Sequence, residues 1–144
     1  MSATRDRFPR RDEHGRVVGL ADLLVLTAAA LLTTAVVLLL VDAVGVLLGW
    51  GEPGGSSGWL MLILPAWLFI LEELRAWRGV PGRMVVAVSG GLVALALGLA
   101  AAGLAASAPP LVSGGAGAVV TSVVYALYWF HGIRWLARRE GSIG

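Results

Sequence analysis

Asp42, Glu72, Glu73 and His131 fall within or close to long apolar stretches of this sequence, with Asp22 at the edge of the first. A charge at the centre of a membrane-spanning helix costs about 2.5 to 3.5 kcal/mol on insertion scales, so acids in such stretches are candidates for proton relay, ion passage or cation recognition. An acid that meets His131 could exchange or relay a proton. Depth tempers that reading. At the helical rise per residue, Glu72 and Glu73 lie about 8 and 6 Å inside Trp77, and His131 about 6 Å inside Trp135. Side chains at that depth reach the interface, and Arg75, three residues after Glu72, offers it an ion pair. A helix-end salt bridge and a hydrogen-bonded interfacial histidine therefore compete with a functional pair.

Consecutive helical residues differ by about 100°, so Glu72 and Glu73 cannot both enter a bundle. Glu72 is the expected inward acid. Pro65 lies seven residues before it on the same face, and the carbonyl that a proline frees is better tolerated inside a bundle than toward lipid. Glu73 shares its face with Phe69 and Trp77, which fits a lipid-facing aromatic stripe with the carboxylate turned out to water. Asp42 is expected at or slightly beneath the opposite boundary.

Four apolar runs must carry these residues: Val17 to Leu48, Trp59 to Leu71, Met84 to Ala106 and Leu111 to Phe130. About 20 residues cross a hydrocarbon core roughly 30 Å thick. With 58% hydrophobic residues, 14% charged and a mean hydropathy of +0.83, the chain lies outside the range of ordinary soluble domains. The fold class expected is an all-α integral membrane protein, a four-helix transmembrane bundle over residues 17–137, with helices near 20–48, 59–77, 84–106 and 112–135. Residues 1–16 read as a basic tail without a core, and 138–144 as a second tail.

All eleven basic residues are arginines, in clusters at Arg5 to Arg16, Arg75 to Arg83 and Arg134 to Arg139. Positive charge flanking spanning helices stays in the cytoplasm, which places both termini and the central cluster there. Trp50 and Trp59 at one face, and Trp77 and Trp135 at the other, are the expected headgroup-level anchors. The arginines face anionic lipid headgroups, so the basicity requires no nucleic acid. Lysine, asparagine, glutamine and cysteine are all absent. The bias accompanies GC-rich bacterial genomes, which points to a bacterial cytoplasmic membrane, and the missing cysteine removes disulfides and thiol chemistry.

The third run carries Gly90, Ala94, Gly98 and Ala102 at every fourth position, and the fourth carries Gly114, Ala118 and Ser122. Small-residue ladders let helix backbones approach closely, which matters in lipid, where the hydrophobic effect does not drive helices together. Gly15-Arg16-Val17-Val18 resembles Gly82-Arg83-Met84-Val85. Two parallel helical hairpins would produce that echo, as would independent convergence on the same topological signals.

No Walker loop, HExxH, dinucleotide fingerprint or nucleophile elbow is present. A haem would need two axial histidines, and the second histidine, His14, lies in the tail. No cofactor or metal is expected. In chain length and helix count the sequence is similar to small multidrug transporters, which use a membrane-embedded Glu in the first helix. The first run here holds no deep Glu, and the arginine asymmetry disfavours antiparallel pairing, so no family is assigned. The leading expectation is a structural or accessory subunit acting through helix packing, as a homo-oligomer or within a larger membrane complex. A proton-coupled transporter or channel subunit using Glu72 and His131 comes second. A membrane-embedded enzyme acting on a lipid or isoprenoid comes third.

Overall fold

The computed structural model describes residues 8–52, 59 and 64–141. Among them are four helices and no strand: α1 (Leu20–Leu47), α2 (Leu64–Ala76), α3 (Arg83–Leu104) and α4 (Pro110–Arg139). Helices α1, α3 and α4 are long and apolar enough to cross a membrane. The first turns of the second predicted span, the glycines at 54, 55 and 58, and the extreme tails lie outside the described residues, as does the Pro65 side chain.

Local chemistry sets the helix ends. Helix α1 closes in a Schellman turn: Gly49 takes a φ of 76°, its N–H donates to Val46 O at 3.0 Å, and Trp50 N–H donates to Gly45 O at 2.7 Å. Helix α4 begins with Pro110 at its first position and has Arg138 and Arg139 in its last turn, where they complement the helix dipole. Buried hydroxyls bond back to their own helices, Thr27 to Leu23 O and Thr121 to Gly117 O, both at 2.8 Å, which satisfies these two donors in an apolar setting.

Helices α3 and α4 form the most extensive pair. Gly90, Ala94 and Gly98 on α3, and Gly114, Ala118 and Ser122 on α4, are buried, with Ala102 half-buried. A Cβ at Gly98 would overlap Thr121 Oγ1 and lie 2.9 Å from Gly117 O, so the contact there is backbone against backbone. At Gly90 the neighbours are the rings of Tyr128 and Tyr125, at 2.7 and 3.0 Å from a built Cβ. Tyr125 donates to Ala87 O at 2.7 Å, adding a cross-helix hydrogen bond to the close approach.

Most of the buried apolar cluster lies at the arginine-rich end, where Val17, Leu23, Trp77, Val80, Trp129 and Ile133 come together. Toward the other end α1 exposes apolar side chains around much of its circumference, including Val36, Val37, Leu40, Val41 and Val44.

The described part of the expected basic tail, residues 8–16, is exposed or half-buried, and its backbone is folded toward its end. Residues 10–18 form a small hairpin: Val18 N–H donates to Arg10 O and Asp12 N–H to Arg16 O, each at 2.9 Å, and Arg11 bridges to Val17. Asp12 Oδ1 accepts from the backbone N–H of His14 and Arg16 at 2.9 and 2.8 Å, stabilising the turn around Gly15, whose φ is 77°. Val17, the first residue of the expected transmembrane domain, is fully enclosed in the core. Gly15 and Gly82 share a φ of 77°, yet Gly82 caps α3 directly whereas Gly15 turns the hairpin ahead of α1. The two Gly-Arg echoes are thus local conformations of the same kind in different structural settings.

Candidate functional site

Helix α2 and the turn after it present Ile70, Glu73, Trp77 and Val80 inward. Glu73 is 3% exposed. Its Oε2 accepts two indole hydrogen bonds, from Trp77 Nε1 one turn along α2 at 3.0 Å and from Trp129 Nε1 of α4 at 3.1 Å. Its Oε1 is buried without a hydrogen-bond partner among the described residues. One carboxylate oxygen therefore ties α2 to α4.

The choice of Glu72 as the inward acid is corrected by this geometry. Glu72 is exposed and accepts from Arg11 Nη2 of the hairpin at 3.0 Å, in place of the expected pair with Arg75. The physical reason is Trp77. A tryptophan four residues from Glu73 shares its face, and a buried indole N–H needs an acceptor. Once Trp77 enters the core, Glu73 must follow it.

Trp77 is correspondingly not a headgroup anchor. It is 2% exposed, with the Arg16 guanidinium 4.3 Å and the Arg134 guanidinium 5.4 Å from its ring centroid. Arg16 also donates through Nε to Ala76 O at 3.3 Å, and Arg134 donates to the carbonyls of Val17 and Val18 while lying 3.6 Å from the Phe130 centroid. Arg134 and Arg16 thus bind the hairpin, α2 and α4 to one another. Composition marked both only as topological charges. The signal for the larger role was the aromatic spacing Trp77, Trp129 and Phe130 beside them. Trp50, Trp59 and Trp135 are 78%, 67% and 54% exposed.

His131 meets neither acid. It is exposed on the flank of α4, edge-to-face with Phe130 at 5.4 Å, while Trp129 and Ile133 on either side of it point inward. The proposed pairing of an acid with His131 is therefore not formed. Asp42 is half-buried near the other end of α1, where it lines a shallow depression with Gly45 and Trp50. At the helical rise it is about 30 Å along the axis from Asp22. Asp22, buried in the first turn of α1, accepts from Arg10 Nε at 3.1 Å. No cluster of three metal-ligating side chains occurs among the described residues.

No family model, curated protein or solved structure matches the chain.

Proposed function

We propose that this chain is a four-span protein of the bacterial cytoplasmic membrane with both termini inside, and that it acts as a structural or accessory subunit through helix packing. The observation that carries the functional part is the use made of Glu73. The most deeply buried carboxylate accepts hydrogen bonds from two indoles on different helices, in the manner of a packing fastener. Glu72 holds the hairpin, and His131 faces away from both. The exposed apolar surface of α1 supplies area for lipid or for a protein partner.

The four-span reading draws on connectivity. The hairpin, the turn between α2 and α3, and the end of α4 meet at one end, as the contacts of Trp77 with Arg16 and Arg134 and of Gly82 with Leu136 require. Two of the three long helices leave from that end and α4 returns to it, and α2 ends there too, which supports a second crossing between α1 and α2. The described arginines gather there too, and arginine-flanked helix ends face the cytoplasm.

Two measurements test the proposal. In intact cells, an external thiol reagent should label Glu52→Cys and spare Arg78→Cys in this naturally cysteine-free chain; the opposite pattern would overturn the topology. Extraction in mild detergent followed by mass determination should give a homo-oligomer or a stoichiometric membrane complex. A lone monomer that retains its cellular phenotype would remove the accessory role. The second reading, a proton-coupled carrier subunit, centres on Glu73, because its buried Oε1 has no hydrogen-bond partner among the described residues.

A further inference from the structure

A groove of about 650 Å³ opens on the outside of the bundle between α3 and α4, at the arginine-rich end. Its floor is aliphatic, from Val86 of α3 and Val124 and Leu127 of α4, and its rim is aromatic, from Tyr128 and Trp135. His131 lines the same groove one turn deeper than Trp135. Arg138 and Arg139 continue this side of α4 beyond Trp135, both exposed, and the Arg139 guanidinium stacks 4.1 Å from the Trp135 centroid. Glu140, the neighbouring acid, falls about 180° around the helix from His131.

The dimensions match one leaflet. Val124 to Trp135 rises about 16 Å, close to half of a hydrocarbon core roughly 30 Å thick. From the membrane interior outward the face runs aliphatic, then imidazole with aromatic edges, then guanidinium. An anionic phospholipid has the complementary order: acyl chain, glycerol ester oxygens, phosphate. Tyr and Trp suit the ester level, histidine can donate to ester oxygens, and guanidinium groups pair with phosphate.

We infer that this groove binds one anionic phospholipid, its acyl chain along Val86, Val124 and Leu127, its ester oxygens within reach of His131 and its phosphate against Arg138 and Arg139. The proposed topology enters only in naming the leaflet as cytoplasmic. General attraction between a basic rim and an anionic bilayer would treat Arg75 and Arg78, equally exposed at the same end, as equivalents of Arg138 and Arg139. The groove makes them unequal.

Native mass spectrometry of the purified full chain, delipidated and then exposed to phosphatidylglycerol or to phosphatidylcholine of the same chain length, tests this. Phosphatidylglycerol should be retained as a single bound copy in preference to phosphatidylcholine. Its affinity should fall about tenfold in R138Q/R139Q, fall clearly in H131E, and stay within about twofold of the parent in R75Q/R78Q. Each variant is compared at an unchanged thermal aggregation midpoint, and H131E alters an exposed side chain that holds nothing in the core. Equal retention of the two lipids, equal loss in R75Q/R78Q, or loss of a protein dimer instead of a lipid in the same variants would each overturn the inference. The assay uses the isolated protein, so failure to find a membrane partner leaves its result standing.

Discussion

Replacing Gly98 by leucine should separate α3 from α4 and lower the thermal aggregation midpoint in detergent more than any exposed substitution on the same helix. A Cβ at that position already lies 2.9 Å from Gly117 O, a backbone atom that cannot rotate away, and overlaps Thr121 Oγ1, which is itself engaged with Gly117 O. Overpacking of this kind costs about 1 to 3 kcal/mol in well-packed cores, and more where backbone is the obstacle. The comparison is Leu99→Ala, which trims a side chain that is 45% exposed. A graded control is Gly90→Ala, where the obstructing atoms belong to Tyr128 and Tyr125 rings, and the partly exposed Tyr128 ring can move. Gly98→Leu should be the most damaging of the three. Equal midpoints for Gly98→Leu and Leu99→Ala would mean that the ladder reflects only an alanine- and glycine-rich composition.

The second large effect is expected at Glu73. Leucine there leaves the indole N–H groups of Trp77 and Trp129 without their acceptor inside a closed core. An interhelical hydrogen bond in a membrane protein averages about 0.6 kcal/mol when lost, whereas a buried donor left unsatisfied costs about 1 to 3 kcal/mol. Two such donors make a loss of about 2 to 6 kcal/mol the expected result for Glu73→Leu. Glu73→Gln keeps an oxygen acceptor and should be milder. Glu72→Gln breaks an ion pair between exposed side chains, which is worth about 0 to 1 kcal/mol. Stability against denaturant in detergent should therefore fall in the order Glu73→Leu, Glu73→Gln, Glu72→Gln, with the last close to the parent. A Glu72→Gln loss as large as that of Glu73→Leu would place the structural weight on the hairpin's ion pair. If Glu73→Gln is as stable as the parent yet abolishes the cellular phenotype, the carrier reading gains over the accessory one.

What could be read from the one-dimensional chain was what depends on composition and on residue order over long windows. Helices α1, α3 and α4 follow from apolar runs bounded by glycine, proline and arginine, because a membrane requires every backbone group to be satisfied within its own segment. The small residues at every fourth position likewise mark a helix face regardless of the partner, and Gly90, Ala94 and Gly98 lie on the buried face of α3. Other features depended on which way a helix turns about its axis. A rotation of about 100° separates Glu72 from Glu73, and two sequence cues, the proline at 65 and the tryptophan at 77 read as lipid-facing, both pointed to Glu72 as the inward acid. Only the packed structure corrects them: Trp77 reaches the core, two indoles of different helices converge on Glu73, and Glu72 is left to the surface. The same holds for residues 10–18. Polar composition marked residues 1–16 as a tail without a core, but it did not show the hairpin closed by Asp12 that carries Val17 into a space formed by helices that lie far from it in sequence. Periodicity determines that a face exists; the contacts between faces, made by residues far apart along the chain, decide which one is inside.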